Sequence, residues 1–299
     1  MTGGWGFIYD PDRRVYPLFT RRVPNVPRDI SLYESFDLVN WEDRGRILVP
    51  GEALDPPEMF NFQGMTPFFY ENFSLGLLNT HDSLPASENY EIFNEPPAGF
   101  SLNHVGHVDV QLAYSRNGQN GSRPADRSPI LHIGEPGSPD AGVIFVPSAN
   151  PFTLDGDPYI YYTAVRFQHN DRTQSAYMKK HNFDMRDAVF CMLAKMPEDH
   201  WVSLDTGQEE GSLICKPWGP AHEIFVNADA DGGSIEAEWV TPYGKVVEGY
   251  SRTDCVPLPR CARTSPTAPN PGASRGPISM KAAGGRPSSR TVLLRSRHR

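Results

Sequence analysis

Short apolar runs alternate with polar turns along most of the chain. WGFIYDPDRRVYPLF, MTPFFYENFSLGLL and VIFVPSANPFTLDGDPYIYYTAV each read as apolar run, polar turn, apolar run. Period-two alternation, aromatic and β-branched content, and turns of Asp, Asn, Gly and Pro predict β-hairpins. A third strand-like run follows each hairpin: ISLYE at 30–34, VDVQLAY at 108–114 and AVFCMLA at 188–194. A fourth closes each unit: RGRILVP at 44–50, SPILHI at 128–133 and SLICKP at 212–217. Each unit is four antiparallel strands.

The units repeat. SFDLVNW at 35–41, SRNGQNG at 115–121 and KMPEDHW at 195–201 are turns spaced 80 residues apart, two of them closed by Trp41 and Trp201. Gly121 stands where the second Trp would be. Equal spacing of four-stranded units predicts a β-propeller, with a meandering β-sandwich as the alternative. Three units are too few to close a propeller, so the blades expected over 1–218 form an incomplete one, truncated at its N-terminus. HEIFVNADADGGSIEAEWVTPYGKVVEGYS then reads as strand, Asp/Gly turn, strand, Gly turn, strand. It predicts part of a β-sandwich module over 219–257. The fold class is all-β.

Blade topology predicts a functional face. The turns joining strands 1–2 and 3–4 of each unit are short. The 2–3 connections, about 80–107 and 166–187, and the 4–1 connections, about 51–63 and 134–141, are long. All the long loops emerge at one end of the strands, where the innermost strands begin, and long loops carry function.

Charge divides the chain. Nine of its 28 Lys/Arg and none of its 36 Asp/Glu lie from Val256 to Arg299, so the first 255 residues carry a net −17. A body that acidic is a poor partner for phosphate backbones, so no nucleic-acid partner is expected. Residues 258–299 are basic and Pro-rich, lack aromatics, and are expected to be disordered. A frameshifted reading frame would produce such a change of character; a natural basic linker is the alternative. No run approaches the ~20 apolar residues of a membrane span, and MTGGWGFIYDPDRR lacks the pattern of a secretory leader. Cys191, Cys215, Cys255 and Cys261 show no CxxC or zinc spacing; a Cys255–Cys261 disulfide or isolated thiols both fit.

The candidate chemistry lies on the long loops. GEALDPPEMFNFQGM carries Asp55, Glu58, Asn61 and Gln63, and GEPGSPDAGVIF carries Glu135 and Asp140. Asp140 lies two residues before an apolar strand and is expected at the channel mouth. Asp beside Gly and Pro equally serves turns. His81 and His169 follow strands; His107 precedes one, and Asp109 lies just within it; Arg166 is close by. No HxH or HExxH spacing supports a metal, and no P-loop or GxGxxG is present, so no cofactor is expected. What remains is a mouth lined with carboxylates. Glycoside hydrolysis needs one carboxylic acid to protonate the leaving oxygen and one carboxylate as base or nucleophile.

VDVQLAYSRNGQNGSRPADRSPIL resembles a stretch found in uncharacterised relatives of the five-bladed β-propeller glycoside hydrolases of families 32 and 43, the β-fructofuranosidase and arabinanase type. PGSPDAGVIF, SFDLVNW, WVSLDTGQEEGSLICKPW and IFVNADADGGSIEAEWVTPYGKVVEGYS fit the same relatives, over about residues 5–257. The resemblance implies three acids entering from the innermost strands of successive blades. By position they fall on Asp140 and on Glu58 or Asn61. The lead-in before Trp5 is TGG and holds no carboxylate. Either the third acid lies on missing blades or this branch uses a different set.

The sequence is thus read as glycosidase-like. Asp140 and Glu58 are the catalytic candidates, and Asn61, His81, His107, Asp109, Arg166 and His169 the substrate contacts. The partner expected is a carbohydrate, with no membrane partner. The alternative is a non-catalytic carbohydrate-binding or interaction propeller.

Overall fold

A computed structural model describes residues 5–21, 28–51, 54–55, 60–70, 73–83, 106–146, 150–169, 182, 184–202, 211–214, 223–228, 234–241, 243–255, 278–283 and 292–297. Among them there is no α-helix, only strands and two 3₁₀ turns, Met185–Asp187 and Arg252–Asp254. The chain divides into two compact units, Met1–Glu198 and Asp199–Arg299.

The first unit is an incomplete β-propeller. Its first blade is a four-stranded antiparallel meander of β1 (Trp5–Phe7), β2 (Tyr16–Arg21), β3 (Ile30–Ser35) and β4 (Glu42–Leu48). The second blade runs β5 (Phe60–Tyr70), β6 (Phe73–Ser83), β7 (Gly106–Ser115) and β8 (Pro129–Leu131), each paired antiparallel with the next. In the third, β9 (Val143–Phe145) and β10 (Phe152–Leu154) pair with opposite ends of β11 (Asp157–Val165), which also pairs with β12 (Val189–Lys195). A single parallel bridge, Val108 to Val143, joins these two blades into one curled eight-stranded sheet.

Apolar residues from the first two blades share one core: Phe19, Ile30, Leu32 and Leu48 pack with Phe62, Met65, Leu78 and Ala113. β1 lies so close to β5 that a Cβ on Gly6 would stand 2.6 Å from the Met65 carbonyl oxygen. Val108, Val143 and Val165 form a second cluster where the bridged blades meet. The β10–β11 hairpin turns through Asp155 and Gly156, both with positive φ, which matches the twist of the strands.

The 80-residue repeat is visible in hydrogen bonding. The Asp37 carboxylate accepts from the backbone of Val39 and Asn40, and Asn117 Oδ1 accepts from Gln119 and Asn120 in the same way. The residues after them, Leu38 and Gly118, both take positive φ. The bonds Asp37 accepts, chiefly from Asn40, hold its carboxyl well below the usual range. Gly121 replaces a Trp because a Cβ there would already meet the Leu48 side chain at 2.7 Å. Trp41 is exposed, and its indole donates to the Leu38 carbonyl.

The second unit differs from the sequence reading in two ways. The strand expected to close the third blade, β13 (Gly211–Ile214), pairs with β16 (Ile278–Ala283). β16 in turn pairs with β15 (Ser234–Trp239), giving the order β13-β16-β15. β14 (Glu223–Ala228) pairs with β17 (Val292–Arg297). The tail expected to be disordered therefore supplies two strands. ISMKAA and VLLRSR are short, free of Pro and Gly, and each preceded by a Pro- and Gly-containing run. Averaged composition hides two such segments. Cys215 and Cys261 lie outside the described residues; Cys191 is a free thiol, and Cys255 Sγ accepts from the Ala237 N–H at 3.4 Å.

Candidate functional site

Strand register gathers the candidate residues at one edge of the sheet. Asn61 at the start of β5 pairs with His81 at the end of β6, and His81 with Val108 at the start of β7. Val108 is bridged to Val143, and Val143 pairs with Val165 at the end of β11. Backbone bonds extend this edge into the loops. Val108 N–H donates to the Gly142 carbonyl at 3.3 Å, Gly142 N–H to Val165 at 3.1 Å, and His169 N–H to Gly106 at 2.7 Å. Asp140, His81, His107, His169, Asp109, Asn61 and Arg166 all lie at or near this edge.

Alternation then divides them between the two sides of the sheet. Residues directly opposite on neighbouring strands share a side, and successive residues point oppositely. Asn61 and His81 therefore lie on one side, and Asp82, His107, Thr80 and Asp109 on the other.

On the first side His81 is fully buried. The Gln63 carboxamide donates to its Nδ1 at 3.1 Å, and its ring lies 4.9 Å from that of His169. His169 is edge-on to Phe145 at 5.8 Å. Asn61 Oδ1 accepts from the Arg28 backbone N–H at 3.0 Å, and the Arg28 carbonyl accepts from Phe62. Gln63 occupies a β-bulge, where pairing jumps from Phe62 to Gly64. The extra residue re-aims its side chain, and its Oε1 accepts from both Arg21 and Arg28.

The second side holds a cavity of about 280 Å³ lined by Asp55, Asp82, His107, Asp109, Arg127 and His132, among others. His132 Nδ1 donates to Asp109 at 2.8 Å, and the Ile133 N–H donates to the same carboxylate at 3.1 Å. Gln168 Nε2 donates to His107 Nε2 at 3.4 Å. Asp55 is the buried partner of Arg123. No cluster of His, Cys, Asp or Glu able to hold a metal occurs among the described residues.

Asp140 stands at the lead-in to β9 and is half-buried. Ser138 Oγ donates to its Oδ1 at 2.8 Å and Tyr162 Oη to its Oδ2 at 3.1 Å. The Tyr162 phenol is pushed up to about 12, first by burial and then by that bond. Gly134 packs directly on the Asp140 carboxylate, where a Cβ would not fit. Arg166 is half-buried with its guanidinium over the Phe190 ring at 5.4 Å. Glu58 lies outside the described residues. Sequence reasoning missed Arg21, Arg28, Asp82, His132 and Tyr162. Asp82 was recoverable in principle, since alternation places it beside His107.

No protein-family model and no curated protein sequence matches the chain. Several solved structures are similar. A thermostable family-43 glycoside hydrolase shares 15% identity over 98% of this chain and 88% of its own, with a TM-score of 0.40. An endo-arabinase from Bacteroides thetaiotaomicron shares 12% over 99% and 94%, with a TM-score of 0.38. A β-1,2-mannobiose phosphorylase from Listeria innocua shares 14% over 70% of this chain and 50% of its own, also at 0.38. The chain spans half or less of the length of that phosphorylase and of an N-acetylgalactosamine deacetylase from F. plautii, of which it covers 40%.

Proposed function

We propose that the chain hydrolyses a glycosidic bond of an oligo- or polysaccharide at this edge of the propeller. The observation that carries the reading is the position of Asp140. It leads into β9 at the edge where His81, His107 and His169 gather, and two hydroxyls fix its carboxylate.

The chemistry asks for two carboxyl groups on either side of the scissile bond. Asp140 serves as one, acting as acid or base. Glu58, in the segment leading into β5, serves as the other. One protonates the departing sugar oxygen while the other activates water or attacks the anomeric carbon. The His107 and His169 imidazoles and the Arg166 guanidinium at the same edge suit hydrogen bonding to sugar hydroxyls, while the buried His81 packs behind His169.

A second reading is a binding module without turnover. It is favoured by the engagement of carboxylates at this edge: both oxygens of Asp140 are bonded, and Asp109 holds His132 and the Ile133 amide. A screen of the full chain against furanosides and plant glycans separates the two. Release of reducing ends that disappears in Asp140→Asn supports hydrolysis. Saturable binding without release supports the module, and neither result with any glycan overturns both.

A further inference from the structure

β9 and β10 share one flank of β11, so the third blade is three strands deep, with β12 at its edge. Among the described residues β12 pairs with β11 alone, and β13, expected in fourth place, is engaged by β16. Backbone bonds show what the open edge holds. Arg166 N–H donates to the Ala188 carbonyl and Met196 N–H to the Pro158 carbonyl, both at 3.0 Å. Bonding groups alternate in direction along an antiparallel strand, so the even-numbered residues from 188 to 196 serve β11. Val189, Cys191, Leu193 and Lys195 turn their N–H and C=O groups outward.

This edge lacks the devices that blunt an edge strand. AVFCMLA at 188–194 holds no Pro, Gly or charge, and β12 meets β11 without a bulge. Val189 and Leu193 are exposed, and register places them on the same side of the sheet as the exposed Tyr161 and Phe152. An apolar row thus crosses β10, β11 and β12 and ends at unpaired backbone. Charges stand only at the two ends of the strand, Asp187 before it and Lys195 at its close, and both are exposed.

We propose that a second copy of this chain occupies the edge, its β12 pairing antiparallel with this β12 about a two-fold axis at Cys191. A strand paired with its own antiparallel copy is self-complementary under such an axis. Charge sets the register. With the axis at Cys191, Asp187 falls opposite Lys195 of the copy, twice over, and Val189 opposite Leu193 of the copy. Moving the axis by one residue either way loses both charge pairs. Lys195 already holds Asp157 at 2.8 Å, and its ammonium has three protons to donate. Outward-facing residues meet outward-facing ones, so Val189, Cys191 and Leu193 exchange backbone bonds with the copy. Each copy supplies the fourth strand that the other's blade lacks.

The test is sedimentation of the full chain over a concentration series at about 0.15 M salt, where the repulsion between two acidic bodies is screened beyond about 8 Å. The expected result is a monomer–dimer equilibrium with a Kd on the order of 10 μM, since one strand pair buries less than a stable interface does. A short bismaleimide should join two copies through Cys191, because Cα atoms of a hydrogen-bonded pair stand about 5.5 Å apart. C191S should lose that product and still dimerise. L193K puts on the edge the charge that blocks strand pairing, and should weaken the dimer at least about tenfold. D187K sets like charges opposite and should weaken it severalfold. Melting curves establish that the variants fold, and hydrogen exchange of the wild type decides the matter if they do not. The amides of Val189, Cys191 and Leu193 should exchange rapidly in dilute protein and slow as concentration rises. A chain that stays monomeric to about 1 mM overturns the inference. So does protection of those amides in dilute monomer, which would mean that the chain's own residues close the edge. A dimer left intact by folded L193K, or crosslinked equally well in C191S, places the contact elsewhere and overturns it too. Unchanged affinity in D187K overturns the register.

Discussion

Arg123 closes on Asp55 across 68 residues of chain, and both side chains are 2% exposed. The guanidinium also donates to Gln111 at 2.8 Å and lies over the Phe62 ring at 4.8 Å. The pair ties the loop before β5 to the turn after β7, and so fixes one wall of the cavity. Asp55 sits in the same lead-in as Glu58, and by residue type alone either could be a catalytic acid. The structure spends Asp55 on architecture.

Removing one partner should be costly. Asp55→Ala leaves a buried guanidinium uncompensated, and such losses run to about 3–5 kcal/mol. Denaturant unfolding of the variant measures it. Replacing both residues, as in D55L/R123M, should recover part of the loss, because the Arg123 guanidinium is then no longer buried alone; the remainder reflects Arg127, which also reaches Asp55. A single-variant cost below about 1 kcal/mol would mean the pair is open to solvent.

Much of the first unit was legible because period-two alternation and turn chemistry are local. The Asp37 and Asn117 turns repeat at 80 residues, and the strands from β1 to β12 lie where alternation predicts, except that the stretch read as one hairpin over 143–165 holds a third short strand, β10. The partner of β13 was not legible: strand sequences state that they pair, not with what. The sides of the sheet were harder still. The Gln63 bulge inserts one residue, which flips the facing of everything beyond it, and no sequence pattern marks it. Arg21 and Arg28 were missed for that reason, since their relation passes through Gln63.

Gly142 is required by a close approach. A Cβ there would overlap the Phe167 carbonyl and the Gln168 backbone. Gly142→Ala should push the 167–169 segment outward and separate His169 from His81. The expected outcome is loss of ligand affinity, with a melting temperature lowered by several degrees. Unaltered affinity would show that the His81–His169 contact does not matter to the ligand.

The two C-terminal strands make the tail testable. Deleting residues 258–299 removes β16, the middle strand of β13-β16-β15, and β17, which pairs with β14. Amides of Ser234–Trp239 should then exchange faster with solvent than in the intact chain. Rapid tryptic cleavage at Lys281 and Arg295 of the intact protein would show that these strands are not held.

The Tyr162–Asp140 contact links stability to pH and, in the hydrolytic reading proposed above, to turnover. Tyr162 is raised in the folded protein to about 12, above the ordinary value of 10. A raised pKa contributes stability that is complete below pH 10 and is lost as pH climbs through 12. The melting temperature of the wild type should therefore fall over that window, and Tyr162→Phe should flatten the fall. At neutral pH the Tyr162→Phe change removes one of two donors orienting Asp140, which in the hydrolytic reading makes Tyr162 a positioning residue. Its loss should lower kcat by about tenfold, the scale of one such bond, with little change in KM. Asp140→Asn should abolish turnover while the melting temperature stays within a few degrees, since the carboxamide oxygen still accepts from one hydroxyl and its NH2 can donate to the oxygen of the other. Full activity in Asp140→Asn would remove Asp140 from the chemistry. An unchanged alkaline limb in Tyr162→Phe would mean that the phenol titrates as it does in water.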